Sequence, residues 1–180
     1  MQPTIRWLAA PMVLVAAPAF AVQYLTVEQA QSALFPAGTR FAALDLTLTD
    51  AQRDAIEDDS GERVRQARPE VWRAADAAGT ATGWFLVDRV IGKHEFITYA
   101  VALDPAGAVL GVEIMDYRET YGGEIRRAEW RGQFTGMRHG DAFKLGGNIR
   151  NITGATLSCR NVMNGVKRLL SMHALVLAKS

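Results

Sequence analysis

Apolar and polar residues change rhythm along the chain, and each change marks a different kind of element. Thr26-Val27-Glu28-Gln29 has the form of a capping box, in which a threonine hydroxyl and a glutamine side chain each satisfy a free amide. It predicts a short helix through Leu34, closed by Pro36. Thr49-Asp50 caps a second helical stretch from Ala51 to about Asp58, and the polar run Asp58-Asp59-Ser60-Gly61-Glu62 reads as a loop with a solvated, charged face. From Val71 the spacing turns to that of strands: Val71-Trp72-Arg73, a turn near Gly79, then Trp84-Phe85-Leu86-Val87 running on to Val90-Ile91. Another strand covers Phe96 to Leu103, meets the turn Asp104-Pro105-Ala106-Gly107 and returns as Val109 to Tyr117, which makes an antiparallel meander.

A glycine-containing loop (Tyr121-Gly122-Gly123), a short helix around Arg131 to Phe134 and a linking stretch to Gly147 follow the meander. The last element is the plainest helix. It starts after Thr156, with apolar residues at Val162, Val166, Leu169, Leu170 and Leu177 spaced for one buried face. The expected architecture is α+β: a central antiparallel sheet flanked by an N-terminal helical segment, residues 22–70, and by the long C-terminal helix.

Residues 1–21 follow a different pattern. Arg6 is the only charge there, an apolar run extends from Trp7 to Ala17, and Ala19-Phe20-Ala21 has the small-x-small form of a signal-peptide cleavage site. The expectation is cleavage before Val22 and export to the periplasm. A membrane anchor is the alternative, yet only 16 residues separate Arg6 from Gln23, interrupted by Pro11 and Pro18, against about 20 for a bilayer span. No cysteine stands near the cleavage site to carry a lipid.

Composition narrows the chemistry. A chain of 180 residues that is 49% hydrophobic can bury one core. Twenty basic residues against 19 acidic ones, or 19 against 19 once Arg6 is removed, leave no basic footprint for nucleic acid. Cys159 is the single cysteine, so no internal disulfide forms, and no CxxC or His/Cys cluster offers a site for zinc, iron–sulfur or covalent haem. No metal is expected.

The stretch Thr153-Gly154-Ala155-Thr156-Leu157-Ser158 sits where the last helix begins. A helix cap explains one threonine, because a hydroxyl satisfies free amides and glycine permits a tight entry. Two threonines flanking the smallest residues also leave a hydroxyl accessible, which suits an anion site at a helix terminus or a modification site.

This run resembles the flavinylation motif of the FMN-binding domain family, found in the peripheral flavin subunits of Na⁺-pumping NADH:quinone reductase and of the related Rnf complexes. Glu119-Thr120-Tyr121-Gly122-Gly123-Glu124-Ile125, followed by Trp130 and Gln133-Phe134-x-Gly136, is similar to the family's glycine-rich loop and the helix after it. Val90-Ile91-Gly92-Lys93-His94-Glu95 is similar to the segment before the central hairpin in short exported members. The resemblance covers about residues 84–177 and makes 71–180 an FMN-binding domain. It implies FMN joined through a phosphoester to Thr156, with Thr153, Gly154, Ala155, Leu157 and Ser158 around the phosphate and Glu119, Thr120, Tyr121 and Gly122 toward the ring.

The resemblance further implies a separate flavin transferase as modifying enzyme, since an unassisted threonine is a poor nucleophile, and a membrane-bound redox complex as partner. Arg150 departs from the motif, whose acidic residue falls at this position. That departure leaves open non-covalent FMN, or a binding or assembly module without flavin; a stand-alone flavin reductase is the third reading, although no GxGxxG follows a strand.

Other residues carry two readings each. Tyr121 and Trp130 either cover a ring face or pack in the core, and Lys93 and His94 either bring positive charge to the flavin or form a solvated turn. His139 reads as a loop residue, and His173 reads equally as a surface residue of the last helix or a redox-active one, with a ligand role assigned to neither. Cys159 is either a thiol activated by the helix terminus or, as free cysteines mostly are, a buried small residue.

Overall fold

A computed structural model describes residues 25–179. The expected leader, residues 1–21, lies outside the described residues. The element order is α1 (Val27–Leu34), β1 (Arg40–Ala43), α2 (Asp50–Ser60), β2 (Glu70–Ala75), β3 (Ala81–Ile91), β4 (Phe96–Leu103), β5 (Val109–Tyr117), α3 (Ala128–Arg131) and α4 (Thr156–Leu175), with short 3-10 turns around α3 and after α4. The five strands form one antiparallel sheet in chain order, β1-β2-β3-β4-β5. The α+β meander read from the sequence is therefore the observed fold.

Both N-terminal helices open with reciprocal capping boxes, Thr26 with Gln29 and Thr49 with Gln52. Between them lies β1, which periodicity does not predict; it pairs with β2 from Arg40 opposite Ala75 to Ala43 opposite Trp72. Only Phe41 of its four residues is partly buried, so the strand lacks an alternating apolar pattern.

Alternation along the central strands sorts the core into two layers. Trp84, Leu86 and Val90 of β3 and Ile97, Tyr99, Val101 and Leu103 of β4 pack with α4 and with Leu48 and Ile56 from the α2 region. Phe85, Val87, Ala100 and Ala102 face the other way, toward Ala30 and Phe35 of the α1 region. Helices thus cover both faces of the sheet.

α4 approaches the sheet closely at Gly165. A Cβ there would overlap the Tyr99 hydroxyl oxygen and lie 2.9 Å from its ring carbon Cζ. One helical turn later Arg168, 8% exposed, turns inward. Its Nη2 donates to Asp88 Oδ2 at 2.5 Å and its Nη1 to the Arg63 carbonyl at 3.0 Å. Tyr99 Oη donates to the same Asp88 oxygen at 2.8 Å, and burial pushes the Tyr99 phenol well above its ordinary range.

The structure corrects two expectations. His173 is buried, not on the helix surface: it packs edge-on to Trp84, and its ring nitrogen Nδ1 lies against Gly107 in the β4–β5 turn. Glycine in that turn makes room for the imidazole. Leu177, expected on the last helix, follows it in a 3-10 turn and still joins the core.

Gly165→Ala is expected to destabilise the fold by about 1–3 kcal/mol, because overpacking against Tyr99 outweighs the better helix propensity of alanine; urea unfolding of the two proteins measures it. Burial pushes the His173 imidazole below its ordinary value, only partly countered by Asp104. The unfolded chain therefore binds a proton near pH 6.5 that the folded chain refuses, and stability is full above that pH and falls below it. Urea midpoints at pH 7.5 and 5.5 are expected to drop more for the wild type than for His173→Phe.

Candidate functional site

The start of α4 and the loop after β5 enclose a cleft of about 390 Å³ lined by Lys93, His94, Glu119, Thr120, Tyr121, Gly154, Ala155, Thr156, Leu157 and Ser158. Two segments more than thirty residues apart in sequence are brought together there. Of the residues singled out from the sequence, Thr153 is exposed outside the lining, and Gly122 lies behind the wall. The other eight line the cleft.

A bulge in the β4–β5 ladder sets up this wall. Thr98 pairs with Asp116 but Tyr99 pairs with Ile114, so β5 carries one extra residue and Tyr117 turns to the α4 side. Its hydroxyl donates to the Tyr121 carbonyl and lies 3.4 Å from Ser158 Oγ. Burial raises the Tyr117 phenol, with Ser158 opposing the shift. Behind Tyr121 the backbone passes through Gly122 at φ +87°, where a Cβ would overlap the Ala155 methyl and lie 2.8 Å from Tyr117 Oη. Glycine is thus required both by conformation and by the contact between the two loops.

Glu119 plays a structural part at the rim. Its Oε1 accepts hydrogen bonds from the amides of Lys93, of His94 at 2.6 Å and of Glu95 at 3.0 Å. Burial pushes this carboxyl up, but the three amide bonds and nearby His94 outweigh it and hold the group below its usual value. The β3–β4 turn is thereby fixed as one side of the cleft. From the other side Asn161 Nδ2 donates to the Ile91 carbonyl at 2.7 Å, tying α4 to the same turn.

At the floor, α4 begins without a side-chain cap. Ala155 occupies the N-cap position and makes no capping bond, so the threonine cap expected from the sequence does not form. Cys159 N returns to Ala155 O at 2.9 Å, while the amides before it are left for a ligand in front of the helix. The Thr156 hydroxyl is half-buried and accepts from Asn151 Nδ2 at 3.1 Å. Leu157 and Tyr121 offer exposed apolar surface, 41% and 75% accessible. An uncapped helix start for a phosphate, a threonine hydroxyl beside it and exposed apolar walls for a flat ring suit FMN.

The flanking residues resolve differently. Trp130 is buried against Phe134 and donates from Nε1 to the Arg150 carbonyl at 2.8 Å, so it packs in the core. The Arg150 amide donates to Gln133 Oε1 at 2.7 Å, and its side chain stays exposed. Cys159 is fully buried, and burial pushes its thiol up, which makes it a packing residue. His139 pairs with Asp59 at 2.8 Å, away from the cleft. Tyr117 and Asn161 carry no signal in the sequence, since a bulge and a contact distant along the chain bring them to the site, whereas Asn151 reaches Thr156 from only five residues before it.

Residues 92–171 match the FMN-binding domain family. That stretch contains the whole cleft, and FMN is the cofactor it defines. Among relatives, the chain is 30% identical over 111 residues to the G component of the ion-translocating oxidoreductase complex of Stutzerimonas stutzeri, covering 56% of this chain and 49% of that protein. It is 36% identical over 88 residues to the component of the same name from Escherichia coli O157:H7, covering 43% of each. The chain thus spans less than half the length of these relatives. The solved structure of NqrC from Shewanella oneidensis has the same fold, with a TM-score of 0.51 and 18% identity over 73% of this chain and 77% of that one.

Gly122→Ala is expected to cost about 1–3 kcal/mol of stability, as the two loops are forced apart, and to lower the flavin content of the purified protein. Gly123→Ala, whose Cβ meets only the end of the flexible Arg126 side chain at 3.2 Å, is the tolerated control. Unfolding curves and flavin absorbance per protein report both effects.

Proposed function

We propose that this chain is an exported electron carrier whose FMN is attached through a phosphoester to Thr156, relaying electrons between a membrane redox complex and an extracytoplasmic acceptor. The observation that carries this reading is the Thr156 hydroxyl at the uncapped first turn of α4, inside the cleft of the FMN-binding domain. The relatives from Stutzerimonas stutzeri and Escherichia coli, whose names assign them to an ion-translocating oxidoreductase complex, support the membrane partner. Export rests on the leader sequence, and attachment requires a flavin transferase as modifying enzyme.

Bound FMN supplies the capacity to take two electrons and release them singly. The chain's own residues supply everything around it. Thr156 is the tether, and the first-turn amides and the dipole of α4 favour the phosphate charge. Glu119 keeps the 93–95 turn in place, so that wall of the cleft is held ready before a flavin would bind. Tyr121 and Leu157 provide the exposed apolar surface against which a flat ring would lie. Arg150 favours one alternative, an assembly module that keeps the fold without flavin.

Intact-mass spectrometry of protein from cells that express a flavin transferase decides between them. The wild type is expected to carry one FMN-sized increment that survives denaturation and fluoresces on a denaturing gel, and Thr156→Val to carry none. An unmodified, colourless wild type would establish the assembly-module reading instead.

A further inference from the structure

The loop before α4 holds more than the motif residues. The peptide of Arg150 is held on both sides: its amide donates to Gln133 Oε1 at 2.7 Å and its carbonyl accepts from Trp130 Nε1 at 2.8 Å. Trp130 is itself buried against Phe134, so this clamp is anchored in the core. The next residue, Asn151, is consequently presented from a fixed backbone, and its Nδ2 donates to Thr156 Oγ1 at 3.1 Å. The turn between them is closed by Ala155 N donating to the Ile152 carbonyl at 3.0 Å. Among the described residues, Asn151 is the side chain that hydrogen-bonds the Thr156 hydroxyl.

We infer that Asn151 is the positioning residue for modification of Thr156, an inference that rests on the reading of Thr156 as the attachment site. Attachment from FAD forms a bond between Thr156 Oγ and the phosphorus of the FMN half. The anhydride P–O bond breaks, AMP leaves with the bonding pair, and the hydroxyl proton passes to a base of the transferase. An N–H that donates to Oγ fixes where that oxygen sits and stabilises the negative charge it gains as the proton departs. A free threonine rotates about χ1 and presents its oxygen in several directions. Only the backbone of Arg150 belongs to the clamp, and its side chain is exposed.

The test uses the full chain with purified flavin transferase and FAD, following the mass increment over time. Asn151→Ala removes the donor, and Asn151→Asp keeps the shape while replacing the donor with an acceptor. Both are expected to slow attachment about tenfold or more, the equivalent of one lost hydrogen bond in the transition state. Unchanged melting curves are expected for both, since Asn151 is exposed. A space-filling role would be rescued by aspartate, so attachment at the wild-type rate in Asn151→Asp overturns the inference, as does an unaffected Asn151→Ala. If the wild type itself gains no increment, the attachment reading of Thr156 falls and this inference with it, a result distinct from normal loading of the variants.

Discussion

The position of α4 depends on one buried ion pair. Arg168 lies under the helix against Asp88, with the Tyr99 hydroxyl and the Arg63 carbonyl completing the set of partners. Removing either charge leaves the other buried and unpaired, which costs about 3–5 kcal/mol. The pair fixes rotation and register as well as contact, because Gly165 must fall over Tyr99 for the helix to come close enough for Arg168 to reach Asp88. About 18 Å back along the helix, twelve residues at 1.5 Å each, the same rotation brings Thr156 and Leu157 to the cleft. The cleft end of the helix is aligned by a polar contact more than three turns further along it.

Most of the architecture could be read from periodicity because most elements obey it strongly. The large residues of β4 alternate with alanines at 100 and 102, and the capping boxes at Thr26 and Thr49 mark helix starts by side-chain chemistry alone. β1 escaped because its partner supplies the reason for its conformation; four residues with one half-buried phenylalanine carry no period of their own. His173 escaped for a similar reason, since its burial is decided by a glycine some sixty residues earlier and by Trp84.

The site was legible to a different depth. Small residues and hydroxyls in a row mark the cleft at a helix start, and a glycine pair marks where one loop passes close to another. What the sequence did not reveal is the division of labour. Glu119 stands among the motif residues, yet its carboxylate is spent on three amides of a turn 24 to 26 residues away. Tyr117 reaches Ser158 only because a bulge reverses the facing of one residue. Such contributions are set by pairing between strands, which no local pattern encodes.

The outer edge of β5 is closed by the segment that follows it and by the chain just before α1. Val109 exchanges both of its backbone hydrogen bonds with the 136–137 segment, Arg131 caps the Val112 carbonyl at 2.8 Å, and Leu25 N reaches the Met115 carbonyl at 3.3 Å. A nine-residue strand at the margin of a sheet is otherwise a template for a foreign strand. The polypeptide that leads from the sheet to the cleft therefore also occupies the β5 edge, so the route that builds the cleft keeps a neighbouring molecule from adding a strand beside β5.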